Sequence, residues 1–124
     1  MIKLLFIDDE KGITDALQSF FGERGFYTRA ANNGEDALKL VENEKFSIAF
    51  LDVRMKGMNG LEVLERMRKL DQDIKVLMLT VHEEKEIIEK AKSLGADECI
   101  TKPFRVDYLE NVVIKKIREL VKEK

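Results

Sequence analysis

The sequence predicts an α/β fold: a five-stranded parallel sheet, doubly wound, with five helices. Three observations carry that prediction. An apolar run followed by an amphipathic stretch recurs five times along the 124 residues, without linker, repeat or low-complexity segment. Several of the runs are apolar throughout, as strands buried on both faces are. Strands separated by helices need right-handed crossovers and therefore pair in parallel. The length suits one domain around one core, so residues 1–124 are expected to form a single domain.

The first strand is Lys3–Ile7. A helix from Glu10 to Arg24 puts Ile13, Leu17, Phe20 and Phe21 on one face, and Gly25 suits its stop. The second strand is Phe26–Ala30, and Asn32-Asn33-Gly34 is a turn signal. A helix over Glu35–Glu44 aligns Ala37, Leu38 and Val41. The third strand is Phe46–Leu51; Asn59-Gly60 opens a helix carrying Leu61, Leu64 and Met67. The fourth strand is Ile74–Leu79, followed by a helix over Glu83–Leu94 with Ile87, Ala91 and Leu94 inward and Gly95 at its end. The short fifth strand is Glu98–Thr101. The last helix, Val106 to Lys122, aligns Leu109, Val113, Ile117 and Leu120.

Composition narrows the function. Charged residues make up 37% but nearly balance, with a net charge of −2, which argues against nucleic acid as the direct partner. No apolar stretch reaches the ~18 residues of a membrane span, and Met1-Ile2-Lys3 does not open a signal peptide. The lone Cys99 fits a reducing cytoplasm.

Reactive residues stand directly after four of the apolar runs: Asp8-Asp9-Glu10, Asp52, Thr80 and Lys102-Pro103. Ligands of open parallel sheets bind beyond the carboxyl ends of the strands, so one rim collects all four stations. A nucleotide cofactor needs glycines and backbone N–H groups after the first strand; here adjacent carboxylates would repel a phosphate unless a cation stood between. Oxygen ligands without Cys or His suit Mg²⁺. Two carboxylates about 4 Å apart repel by roughly 4 kcal/mol at an effective dielectric near 20, which a divalent ion offsets. A carboxylate beside Mg²⁺ can attack phosphorus and form an aspartyl phosphate. Mg²⁺, the Lys102 ammonium and the Thr80 hydroxyl would then each meet one phosphoryl oxygen. His82 reads as a surface residue, and Met55 and Met58 as loop packing.

Taken together, these residues resemble the receiver domain of two-component response regulators. The resemblance covers essentially the whole chain and rests on Asp8-Asp9-Glu10, Leu51-Asp52-Val53-Arg54-Met55 with Gly60 downstream, Leu79-Thr80 and Lys102-Pro103-Phe104. It implies the flavodoxin-like strand order 2-1-3-4-5. It implies Asp52 as phosphoacceptor, with Mg²⁺ held by Asp8 or Asp9, by Asp52 and by the backbone carbonyl of Arg54; Asp9 would be the usual direct ligand, and Asp8 would act mainly through water. Thr80 would move towards the phosphoryl group and Lys102 would pair with it. The implied donor is a sensor histidine kinase or histidine phosphotransfer protein, docking at Ile13, Leu17 and Phe104. A downstream protein target and a dimer on phosphorylation are further expectations.

The chain departs from its relatives at three positions: Lys56 where they often carry Pro, Val81 where they often carry Ala, and Cys99 where an aromatic residue or histidine is usual. Val81 would slow access to the phosphoryl group, and Cys99 is too small to swing inward as a ring does. The same fold kept as an unphosphorylated, constitutive binding module is the alternative reading. A phosphatase of the haloacid-dehalogenase type needs a second Asp two residues after the nucleophile, where this chain has Arg54. No DNA-binding segment follows the last helix, so the expectation is a phosphoacceptor signalling domain rather than an enzyme or a transcription factor.

Overall fold

The computed structural model describes residues 1–80, 85–102 and 105–122. Val81, His82, Pro103 and Phe104 therefore lie outside the described residues, and the expectations resting on them stay at the level of sequence. Strands β1 (Lys3–Ile7), β2 (Tyr27–Ala31), β3 (Ile48–Asp52), β4 (Lys75–Thr80) and β5 (Glu98–Thr101) form one parallel sheet in the order β2-β1-β3-β4-β5. Helices α1 (Lys11–Gly22), α2 (Gly34–Asn43), α3 (Gly60–Leu70) and α4 (Lys85–Ser93) follow the first four strands. The fifth helix, α5, runs through three consecutive segments: Val106–Tyr108, a π-helical Leu109–Val113, and Ile114–Val121. The predicted architecture, and the strand order that the resemblance implied, are both present.

Alternation along the central strands builds two cores. Leu4, Phe6, Ile48, Phe50, Leu77 and Leu79 face α1 and α5, where Leu17, Phe21, Leu109, Val113 and Ile117 meet them. The rings of Phe6, Phe21 and Phe50 lie 5.0–5.7 Å apart there. Leu5, Ile7, Ala49, Leu51, Val76 and Met78 face α2, α3 and α4, against Ala37, Val41, Val63, Leu64, Met67 and Ala91. Every residue of β3 is buried, as expected of a central strand covered on both faces. Met55 and Met58 pack against the second core, and so does the half-buried Cys99.

Three details differ from the sequence expectation. Leu17 is 3% exposed and belongs to the core, so its side chain is not available to a docking partner; the apolar face of α1 is there to cover the sheet. Asp52 and Thr80 are the last residues of their strands, since they still pair with Leu79 and Thr101. The π-helical turn in α5 was not expected. Its apolar residues Leu109, Val113 and Ile117 recur every four positions, and that spacing drifts around a helix of 3.6 residues per turn. One wider turn offsets the drift and keeps all three against the sheet.

Asn33 and Asn59 cap α2 and α3, accepting from the N–H groups of Asp36 and Glu62. At the opposite end of α3, the Arg68 guanidinium donates to the carbonyls of Ile74 and Gly95 and pairs with Asp97 at 3.1 Å. Asp97 Oδ2 also accepts from Val76 N–H at 2.8 Å. One half-buried cation thus fastens the turn before β5 to the start of β4. Arg68→Met is expected to lower stability by about 1.5 kcal/mol, because it leaves these acceptors without a charged donor. Urea unfolding of the two proteins checks the figure.

Candidate functional site

The carboxyl ends of β1, β3, β4 and β5 bring the predicted residues together. Asp8 follows β1 and is fully buried; Asp52, Thr80 and Lys102 are 4%, 6% and 8% exposed. Asp9 is half-buried. One carboxylate oxygen from each of Asp8, Asp9 and Asp52 lies within 4.8 Å of the others. The Lys102 ammonium stands 2.6 Å from Asp8 Oδ2, 3.5 Å from Asp52 Oδ2 and 4.0 Å from Glu10 Oε1.

Backbone contacts hold these side chains in place. The Lys102 N–H donates to the Thr80 carbonyl at 2.7 Å, so the end of β4 carries the base of the lysine. The Val53 N–H donates to the Leu79 carbonyl at 3.0 Å, and Gly60 N–H to the Val53 carbonyl at 2.9 Å, which closes the loop after Asp52 onto α3. Arg54 contributes its N–H to Asp52 Oδ1 at 3.3 Å. Glu10 N–H donates to Asp8 Oδ1 at 3.0 Å, and Lys56 N–H to Asp9 Oδ2 at 3.1 Å. Position 56, singled out in the sequence for its side chain, thus contributes its backbone.

Burial and neighbouring charge shift two groups of the site. Burial, with the nearby charge of Asp8, raises the Asp52 carboxyl from 3.8 to about 6; Lys102 and the Arg54 N–H pull the other way. Burial works against the Lys102 ammonium too, but its contact with Asp8 and the charges of Asp52, Asp8 and Glu10 prevail and raise its pKa above the ordinary lysine value. The site therefore holds an ammonium and a reluctant carboxylate side by side.

The residues present fit a divalent cation. The donor set is all oxygen, as Mg²⁺ prefers. Asp8 Oδ2 is fully enclosed, and the close cation at it is the Lys102 ammonium at 2.6 Å. A divalent cation would add to the single charge that Lys102 brings to the three clustered carboxylates.

A doubly wound parallel sheet with acids, a hydroxyl and an ammonium on its carboxyl rim defines the class of phosphoacceptor domains. More closely, the chain belongs to the response regulator receiver domain family, whose profile matches residues 4–114. Phosphorylation by a kinase is the standard function of that family. The chain is 37% identical to sporulation initiation phosphotransferase F of Bacillus subtilis over 113 residues, 91% of each chain. It is 39% identical to the CpxR homolog, a transcriptional regulatory protein of Haemophilus influenzae, over 84% of its own length but only 45% of that protein. Among solved structures, a receiver domain protein from Methanospirillum hungatei superposes with a TM-score of 0.91 at 29% identity, covering 100% of this chain and 99% of that one. A response regulator from Thermotoga maritima, solved in complex with Mg(2+)-BeF, superposes with a TM-score of 0.81 at 33% identity, covering 94% and 99%.

Sequence reasoning missed Asn32 and Thr14. Asn32 reads as a turn residue and Thr14 as a helix residue, yet both touch the loop that carries Asp8 (below). Only their nearness to the end of β2 and to the first turn of α1 hinted at it.

Proposed function

We propose that Asp52 accepts the phosphoryl group, with Mg²⁺ held by Asp8, Asp9, Asp52 and the Arg54 carbonyl. The observation that supports this is the meeting of three carboxylates within 4.8 Å, one of them 3.5 Å from the Lys102 ammonium. Bound there, Mg²⁺ supplies positive charge against the phosphoryl oxygens. An ionised Asp52 oxygen attacks phosphorus; the P–N bond of the donor phosphohistidine breaks, and its electron pair returns to the imidazole. Lys102 then pairs with the phosphoryl group in place of the free carboxylate. Thr80, at the adjacent strand end, turns its hydroxyl to another phosphoryl oxygen.

The donor is a sensor histidine kinase or a histidine phosphotransfer protein. Half-buried Ile13, near the start of α1, is the docking candidate that the described residues retain. The new charge biases a two-state surface towards a downstream protein, or towards a second copy of the chain. Cys99, on β5, brings no aromatic ring to couple Thr80 to that surface. The chain acts as a single receiver unit, a cytoplasmic signalling domain that serves as acceptor rather than turning over an external substrate. Among its described residues no helix is long and apolar enough to cross a membrane.

Incubation with acetyl phosphate and Mg²⁺, followed by intact-mass measurement, tests the reading. A phosphoryl adduct should form with Mg²⁺, fall sharply with EDTA and vanish in Asp52→Asn. An adduct that persists in Asp52→Asn, or none under any condition, would overturn it.

A further inference from the structure

We propose that Asn32 is a positioning residue for the metal ligands, acting through the Asp8 peptide. The proposal rests on the assignment of Asp8, Asp9 and Asp52 as those ligands. Asn32 directly follows β2, and its side-chain amide donates to the Asp8 carbonyl at 2.8 Å. The same nitrogen donates to Thr14 Oγ1 at 3.1 Å. Thr14 is 1% exposed, and its hydroxyl donates onward to the Lys11 carbonyl at 3.0 Å. From the other side, the Asp8 N–H donates to the Ala31 carbonyl at 3.2 Å. Both backbone polar groups of Asp8 are thus held by the end of β2, and the first turn of α1 hangs on the same amide.

The mechanical consequence follows from peptide planarity. Fixing the direction of the Asp8 carbonyl fixes the plane that also contains the nitrogen of Asp9. That plane also contains Asp9 Cα, so it fixes the point from which the Asp9 side chain leaves the backbone. The three clustered carboxylates repel one another, and their repulsion pushes this loop outward. The bridge through Asn32 resists that push and keeps the acids spaced for a cation before one arrives. Outer-shell partners that hydrogen-bond metal-ligating side chains typically change metal affinity by 10–100-fold when removed; Asn32 acts one step further back, on the Asp8 main chain, which places its effect at the lower end of that range.

Residue type matters at both ends of the bridge. A carboxamide brings two N–H donors on one nitrogen and no charge. A carboxylate at position 32 would set an acceptor against the Asp8 carbonyl and enlarge the acid cluster. The Thr14 hydroxyl accepts from Asn32 while it donates to Lys11, which serine can also do and valine cannot.

The test is calorimetric titration of the full chain with Mg²⁺, alongside urea unfolding in EDTA. Asn32→Ala should weaken Mg²⁺ binding about tenfold, and Thr14→Val about threefold, while Thr14→Ser stays within about twofold of wild type. Saturating Mg²⁺ should restore the maximal rate of adduct formation from acetyl phosphate in Asn32→Ala, a rescue that general destabilisation would not give. Mg²⁺ affinity of Asn32→Ala within about twofold of wild type would overturn the proposal, whatever happens to its stability. Should Asn32→Ala fail to fold, equal affinities of Thr14→Val and Thr14→Ser would overturn it instead. A wild-type chain that binds no Mg²⁺ would remove the ligand assignment itself, and the proposal with it. A wild type that binds Mg²⁺ beside an unaffected Asn32→Ala would remove the proposal alone.

Discussion

Asp52→Asn should make the metal-free protein more stable by about 3 kcal/mol at about pH 8. The cause is the raised Asp52 carboxyl, which moves from 3.8 to about 6 mainly through burial and then through the charge of Asp8. An acid whose native pKa lies above its unfolded one keeps its proton longer when folded. Stability from this group is therefore fully present below the unfolded value and is lost as pH rises through the window from 3.8 to about 6. Above that window the native state carries a buried charge it does not favour. Asparagine carries none. Urea unfolding of both proteins in EDTA should show a gap that is large at about pH 8 and mostly closed at about pH 4. A gap independent of pH would show that Asp52 is not held in this environment. Mg²⁺ should narrow the gap from the other side. A ligand present at 100 times its dissociation constant stabilises the state that binds it by about 2.7 kcal/mol, and Asp52→Asn should forgo most of that gain. The carboxylate proposed to react would thus weaken the metal-free fold, as expected where function rather than stability selects the side chain.

The readable parts of the sequence were those in which chemistry sits next to an apolar run. Ile48-Ala49-Phe50-Leu51 reports burial on both faces, and a polar residue directly after such a run marks a strand end. Asp8, Asp52 and Thr80 were legible for that reason, and Lys102 from the short strand around Ile100. Residues whose partners lie far along the chain were not. The amide of Asn32 meets the Asp8 carbonyl across 24 residues, and Arg68 meets Asp97 across 29. Leu17 shows the converse limit: an apolar helix face announces that it will be covered, but not whether its own sheet or a partner covers it. The π-helical turn of α5 lay in the four-residue spacing of Leu109, Val113 and Ile117, a pattern that an ordinary helix nearly satisfies.

Gly60→Ala should be the most damaging single methyl addition in the chain, lowering stability by at least about 3 kcal/mol. Asn59-Gly60 reads in the sequence as the opening of a helix, with nothing to show why glycine is needed. The structure supplies the reason. A Cβ on Gly60 would lie 2.1 Å from the Asp52 carbonyl oxygen, 2.8 Å from Val53 Cα and 2.9 Å from the Asp52 carbonyl carbon. All three are backbone atoms at the strand end that carries Asp52, so no side chain can swing aside. Gly34 differs: its Cβ would meet Val63 Cγ2 at 2.8 Å and the Met58 side chain at 3.0 Å, and methionine can shift. Gly12 and Gly22 meet nothing within 4 Å. Relief at Gly60 has to come from moving α3 away from β3, which strains the Gly60 N–H bond to the Val53 carbonyl. It also drags the loop through Arg54, whose N–H orients Asp52. The variant should therefore lose Mg²⁺ affinity and adduct formation as well as stability, even at temperatures where it remains folded. Urea unfolding and the acetyl phosphate assay measure the two effects separately. A loss below about 1 kcal/mol with normal adduct formation would mean that α3 does not press on the acceptor strand as the structure places it.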